Sequence, residues 1–313
     1  MRIFMRMITG GEKLQGSGPL VAPEPGLGRH YTVDGRSLFL ERSGSGGPAV
    51  VFLPGAGGVG LDWLNIHRRV AQWTTSVLYD RGGTGWSDRL ELPRTATEVA
   101  TELRDLLRVA GIPGPYVLVG HSLGGVYVRR FGQLFPDEVA GVLAADVVGE
   151  EWDAHMPDKL KIRPAPVPGR MQLRLQGLFI RLLLRKQLAD WPIRIRRALL
   201  AGHASLEWNL IAARERADMT TVIDEIRCGA DAPDVPTIVL AALGTDLGMR
   251  LYYGRSGLRE LTAAKQRVYQ AMADSVPRGE YRAVTHASHG TLQTDAADEI
   301  MQAIRDLLDR AAR

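Results

Sequence analysis

The chain has 313 residues, 45% of them apolar and 24% charged, with a formal net charge of +4, proportions that bound a soluble globular protein of one large α/β domain with an insertion or two modest domains. Cys228 is the only cysteine, which excludes an intrachain disulfide and a Cys/His metal cluster and makes a reducing, cytoplasmic setting the expectation. Ile3 to Ile8 is too short and interrupted for a signal h-region, and no apolar run approaches a membrane span.

Residues 1–28 are rich in glycine and proline and poor in large apolar side chains, so a loosely structured N-terminal extension is expected there. Order is expected from about His30. Short apolar strands then alternate with amphipathic helices: Ser37 to Glu41 after an Asp34-Gly35 turn, then Ala49 to Leu53, Ser76 to Tyr79, Tyr116 to Val119, Gly141 to Ala145, Thr237 to Ala242 and Tyr281 to Val284. Helices are expected at Trp63 to Trp73, Ala96 to Ala110, Leu123 to Phe135, Leu258 to Asp274 and Ala296 to Ala312, with Thr95 or Thr97 capping the second. Such alternation means a mostly parallel sheet covered by helices. It breaks between roughly Val148 and Pro236, where Met171 to Leu188 and Ile193 to Ala213 have helical spacing and no strand intervenes. The expected division is therefore a core of residues 29–148 and 235–313 with a helical lid over 149–234.

The sharpest local signal is Tyr116-Val-Leu-Val-Gly120-His121-Ser122-Leu123-Gly124-Gly125, a strand that ends in a serine with a glycine two residues away on each side. A strained turn of this kind exposes the hydroxyl, and the helix beginning at Leu123 aims its N–H groups at any anion forming beside Ser122.

Taken in order, the motifs resemble the α/β-hydrolase superfamily over nearly everything from His30 onward. Leu53-Pro54-Gly55-Ala56-Gly57-Gly58 sits where that family places its oxyanion loop, with Pro54 in place of the usual histidine. Asp80-Arg81-Gly82-Gly83-Thr84-Gly85-Trp86-Ser87 is similar to the family's glycine-rich loop after the next strand, and Gly120-His-Ser122-Leu-Gly124 to its nucleophile elbow. Leu243-Gly-Thr-Asp246 stands at the acid position and His286-Ala-Ser-His289-Gly290 at the histidine position.

That resemblance implies a serine hydrolase of esterase or lipase type. Ser122 is the nucleophile, His289 its base and Asp246 the acid, while the backbone N–H groups of Ala56 and Leu123 receive the oxyanion. Asp146, at the end of the strand after the elbow helix, is the alternative acid, and His286 the alternative base. Asp80 and Arg81 are expected to hold loops together, and His121 to pack. No cofactor or metal is implied. Lactonase, thioesterase, aminopeptidase and carbon-carbon bond hydrolase remain open on the same triad, and the fold also hosts ligand receptors and biosynthetic cyclases.

Gly55-Ala-Gly57-Gly58-Val-Gly60, with Asp80 about twenty residues on, also satisfies a dinucleotide-binding pattern. Pro54 before its first glycine and the unexplained elbow weigh against an NAD-dependent enzyme. In the lid, eleven lysines and arginines between residues 159 and 197 face only Asp190, interleaved with Leu178-Phe-Ile180 and Leu182-Leu-Leu184. The favoured expectation is that these leucines cover a pocket for a hydrophobic small molecule. Contact with an anionic membrane surface is the second reading, and no nucleic-acid motif is present.

Overall fold

Strands buried on both faces must be apolar throughout, and Ala49–Leu53 (β3) and Thr237–Ala242 (β7) are buried at every position. They belong to an eight-stranded sheet with β1 (Arg29–Val33), β2 (Arg36–Ser43), β4 (Ser76–Tyr79), β5 (Tyr116–His121), β6 (Val139–Ala145) and β8 (Gly279–Val284), in the order β1-β2-β4-β3-β5-β6-β7-β8. Only the β1–β2 and β2–β4 pairs are antiparallel. The computed structural model describes residues 26–164, 166–245 and 247–312. Residues 1–25 of the expected N-terminal extension, and Asp246, lie outside the described residues.

Helices cover both faces. Leu64–Val70 (α1) and Ala297–Ala311 (α11) bury their apolar sides against Val50, Phe52, Val117, Val119 and Leu143. Ala96–Val109 (α2) and Leu123–Leu134 (α3) cover Val51, Leu53, Val77 and Leu118 on the other side. Thr95 is the cap of α2: its side chain accepts from the Glu98 N–H, and the Glu98 carboxylate accepts from the Thr95 N–H.

Between β6 and β7 the chain builds α4 (Trp152–His155), α5 (Arg170–Gln187), α6 (Ile193–Ala204), α7 (Leu206–Ala217) and α8 (Met219–Arg227). The stretch expected as one helix from Ile193 to Ala213 breaks at Ser205, whose extended backbone (ψ 146°) and side-chain acceptance from the Trp208 N–H start α7 afresh. After β7 come α9 (Leu247–Asp274), kinked at Gly254 with φ 62°, and, following β8, α10 (Leu292–Asp295). The helix expected from Leu258 thus starts eleven residues earlier, at Leu247, because glycine permits the kink that joins the two parts. Strand β1, absent from the sequence expectations, pairs with β2 across the Asp34-Gly35 turn.

Register sets the site. Leu53 pairs with Gly120 and Ala145 with His121, so the chain leaves β3, β5 and β6 at one level on the carboxyl edge of the sheet. Open α/β sheets present their ligand crevices along this edge.

Candidate active site

Ser122 has φ 53° and ψ −124°, a conformation held because glycines flank it. A Cβ on Gly120 would stand 2.6 Å from the Gly125 Cα, and one on Gly124 would overlap the Leu53 carbonyl. The sharp turn points the Ser122 hydroxyl at His289, whose Nε2 lies 3.1 Å from Oγ. The His289 side chain is 47% exposed, so the pair is open to a ligand.

The other ring nitrogen, Nδ1, is 2.7 Å from Asp146 Oδ2. Among the described residues, the carboxylate on His289 belongs to Asp146, the alternative acid of the sequence expectation, while the favoured Asp246 lies outside the described residues. The reason is register. Asp146 follows Ala145, which pairs with the residue before Ser122, so acid and serine leave neighbouring strands side by side. Its own backbone is left-handed (φ 47°), which turns the carboxylate across the strand ends.

Asp146 is buried and fully coordinated. Oδ1 accepts the Ala242 N–H (2.8 Å) and the Lys265 ammonium (2.8 Å); Oδ2 accepts Lys265 (2.9 Å) and His289. Burial would raise its pKa, but the Lys265 charge and the His289 bond hold it well below the usual carboxylate range. The third Lys265 donor goes to the Ala242 carbonyl at 2.5 Å, and its ammonium lies 5.7 Å from the Tyr269 ring centre. The buried phenol of Tyr269 stays protonated, first by desolvation and then by the neighbouring carboxylate.

His121 does more than pack. Its Nε2 donates to the His289 carbonyl (3.1 Å) and its ring stacks 4.7 Å from the His289 ring. Burial and the adjacent His289 pull its pKa down to about 3, so it is neutral at ordinary pH. His286 turns away, bonding the Asp295 carbonyl at 3.0 Å.

On the other side of Ser122 runs the 54–58 loop. A Cβ on Gly55 would come within 2.9 Å of the Ser122 Cβ. Arg81 holds this loop, donating to the carbonyls of Pro54 (2.9 Å) and Gly55 (2.7 Å). Its remaining donors form a two-point pair with Glu215 of α7 (2.7 and 2.9 Å), and Glu215 also accepts the Gly57 N–H at 2.6 Å. The N–H groups of Ala56 and Leu123 have no intramolecular acceptor among the described residues. Asp80 serves the same framework: its carboxylate accepts the Gly60 and Trp86 N–H groups (2.8 and 2.9 Å), and desolvation raises its pKa to about 7.

Sequence reasoning passed over Lys265 and Glu215. Each had a readable signal, a charge on the apolar face of a helix: Lys265 lies four residues from both Leu261 and Tyr269, and Glu215 four from Ile211. Among the described residues no cluster of His, Cys, Asp and Glu could hold a metal, and no helix is long and apolar enough to cross a membrane.

Comparison with known proteins agrees with this architecture. Uncharacterized protein Rv2715 of Mycobacterium tuberculosis is 31% identical over 144 residues, covering 46% of this chain and 42% of that protein. The chain spans less than half the length of the curated relatives it matches. A thermophilic esterase from Thermogutta terrifontis superposes with a TM-score of 0.59 at 18% identity, covering 91% of this chain and 97% of the other. An alpha/beta hydrolase fold protein from Burkholderia ambifaria gives 0.62 at 17% identity, with 91% and 98% covered. At such identities the likeness speaks to the fold. The model of the Alpha/beta hydrolase family matches residues 50–303, and the chain belongs to that family.

Proposed function

We propose that this hydrolase cleaves carboxylic esters of hydrophobic small molecules, with Ser122 as nucleophile, His289 as general base and acid, and Asp146 as the group that orients and stabilises the imidazolium. The observation that carries the reading is the continuous chain from Ser122 Oγ to His289 Nε2 (3.1 Å) and from His289 Nδ1 to Asp146 Oδ2 (2.7 Å).

As His289 takes its proton, Ser122 Oγ attacks the ester carbonyl. The tetrahedral oxyanion lies against the Ala56 and Leu123 N–H groups, which have no competing partner; one such donor is worth roughly 3 kcal/mol of barrier. The imidazolium then protonates the leaving alkoxide and the C–O bond breaks, leaving an acyl-Ser122. Water, deprotonated by His289, attacks the acyl carbon, and the second collapse returns the proton to Ser122 with release of the carboxylic acid. Throughout, Asp146 stays ionised because Lys265 and the Ala242 N–H hold its charge. The helical insertion acts as a cap whose α7 fixes the oxyanion loop through Glu215 and Arg81. An ester substrate is the choice favoured by the likeness to the Thermogutta terrifontis esterase.

The test is covalent labelling with a fluorophosphonate, with the adduct located by peptide mass spectrometry, followed by turnover of p-nitrophenyl esters of rising chain length. Labelling at Ser122 that is lost in Ser122→Ala and in His289→Ala, with turnover rising with chain length, is expected. A folded wild type that neither labels nor turns over any ester overturns the reading.

A further inference from the structure

Helix α5 is apolar on two opposite faces. Its inner face, with Leu173 and Gly177 buried, packs on α6 and α7, and Gly177 is so close that a Cβ there would lie 2.6 Å from the Ala204 carbonyl. The helix therefore cannot roll its outer side inward. That outer side carries Met171, Leu175, Leu178, Phe179 and Leu182, each 58–67% exposed, with Leu183 beside them. Six of the ten large apolar side chains exposed among the described residues lie on this one helix, and Val167 and Ile193 flank it. Of the six apolar residues expected to cover the substrate pocket, Leu178, Phe179, Leu182 and Leu183 therefore face solvent, with Met171 and Leu175 beside them. They form a solvent-facing stripe, spaced at i, i+4, i+7, i+8 and i+11.

Charge says what fits it. Arg170, Arg174, Arg181 and Arg185 run along one edge of the stripe, Lys186 lies toward the other, and Arg194 and Arg197 follow on α6. Asp190 is the only acidic residue between 159 and 197. A second copy of the chain packed stripe to stripe would set these cationic rows against each other. An anionic lipid headgroup layer matches them, with the apolar side chains reaching the acyl boundary below. The interruption of the stripe by arginines makes α5 a helix that lies on a bilayer, not one that spans it.

We propose that the outer face of α5 docks the protein on anionic membrane surfaces. Docking would be productive for the site, because α5 ends beside it: the Gln187 side chain reaches the Gly290 carbonyl (3.4 Å), one residue from His289. The inference does not depend on hydrolysis, and the inactive Ser122→Ala chain is expected to dock like wild type.

The experiment is co-sedimentation of the full chain with vesicles of phosphatidylcholine, with and without phosphatidylglycerol, alongside sedimentation equilibrium without lipid. Binding is expected only with phosphatidylglycerol, and it should weaken as salt rises from about 0.1 to about 1 M and the screening length falls from ~10 to ~3 Å. Arg174→Glu with Arg181→Glu should lower the partition at least about fivefold per site. Leu178→Asp with Phe179→Asp should lower it at least about tenfold. If that pair perturbs the helical circular dichroism, Phe179→Ser with Leu182→Ser serves the same purpose. No binding to anionic vesicles, equal binding to neutral ones, or insensitivity to these substitutions overturns the proposal. So does a dimer that the α5 substitutions dissolve without any vesicle binding, which would assign the stripe to a second copy.

Discussion

Two buried ion pairs flank Ser122, one on each side, and they are chemically alike but functionally unlike. In the Arg81–Glu215 pair every strong contact ends on backbone or on the partner: Arg81 on the Pro54 and Gly55 carbonyls, Glu215 on the Gly57 N–H. Nothing in that network faces a group that changes charge during acyl transfer. In the Lys265–Asp146 pair the carboxylate keeps one lone pair for His289 Nδ1, so its charge is coupled to the residue that the proposed function has gain and lose a proton. A buried pair closed on itself braces a loop, whereas one left open toward an imidazole takes part in proton transfer.

Breaking the open end should give the largest effect. Asp146→Asn keeps the shape but disfavours the His289 tautomer that can accept from Ser122, and kcat for an ester substrate should fall by about 10⁴-fold with little change in KM. Equal activity in wild type and Asp146→Asn would remove Asp146 from the mechanism and reopen the question for Asp246. Breaking the closed pair should act on stability first. Glu215→Ala strands the Arg81 charge in the interior, and urea midpoints should report a loss of about 3–5 kcal/mol, of which the double substitution Arg81→Met with Glu215→Met recovers a large part.

Lys265→Met sharpens the contrast through pH. Without the ammonium the Asp146 carboxyl is easier to protonate, so the acid limb of kcat/KM should move upward, by roughly one pH unit. Stability carries the same signature. The folded pKa of Asp146 lies below its unfolded value, so its contribution is present above about pH 4 and is lost as pH falls through the folded value; Lys265→Met should shrink that loss. His121 gives the smallest effect. With a folded pKa of about 3 against about 6.5 unfolded, it makes the unfolded chain bind more protons as pH falls between those values. Relative to wild type, His121→Asn should therefore lose less stability on acidification through that window, as read by thermal melts.

The contrast also separates what was legible in the chain from what was not. Strand and helix positions in the core could be read because their signals are local: β-branched runs for β3 and β5, a capping threonine at 95 or 97 ahead of α2, and glycines at fixed offsets around Ser122. The positions of Ser122, His289 and the 54–58 loop, to which the proposed function gives the roles of nucleophile, base and oxyanion loop, were legible for the same reason, each being a short motif next to a strand end. The acid was not. Asp146 and Asp246 both follow strands in the sequence, and it is the pairing of β5 with β6 that brings Asp146 to a histidine 143 positions away. Lys265 and Glu215 escaped, and the apolar stripe of α5 was left with two readings, because each depends on how helices from distant segments pack. By itself the sequence determined the period of each element and the strained turn at Ser122, since both arise from interactions within a few residues. Only the tertiary structure decided which carboxylate meets His289, which buried charges pair, and which apolar stripe stays in water, because those contacts are settled by register and by the geometry of whole elements.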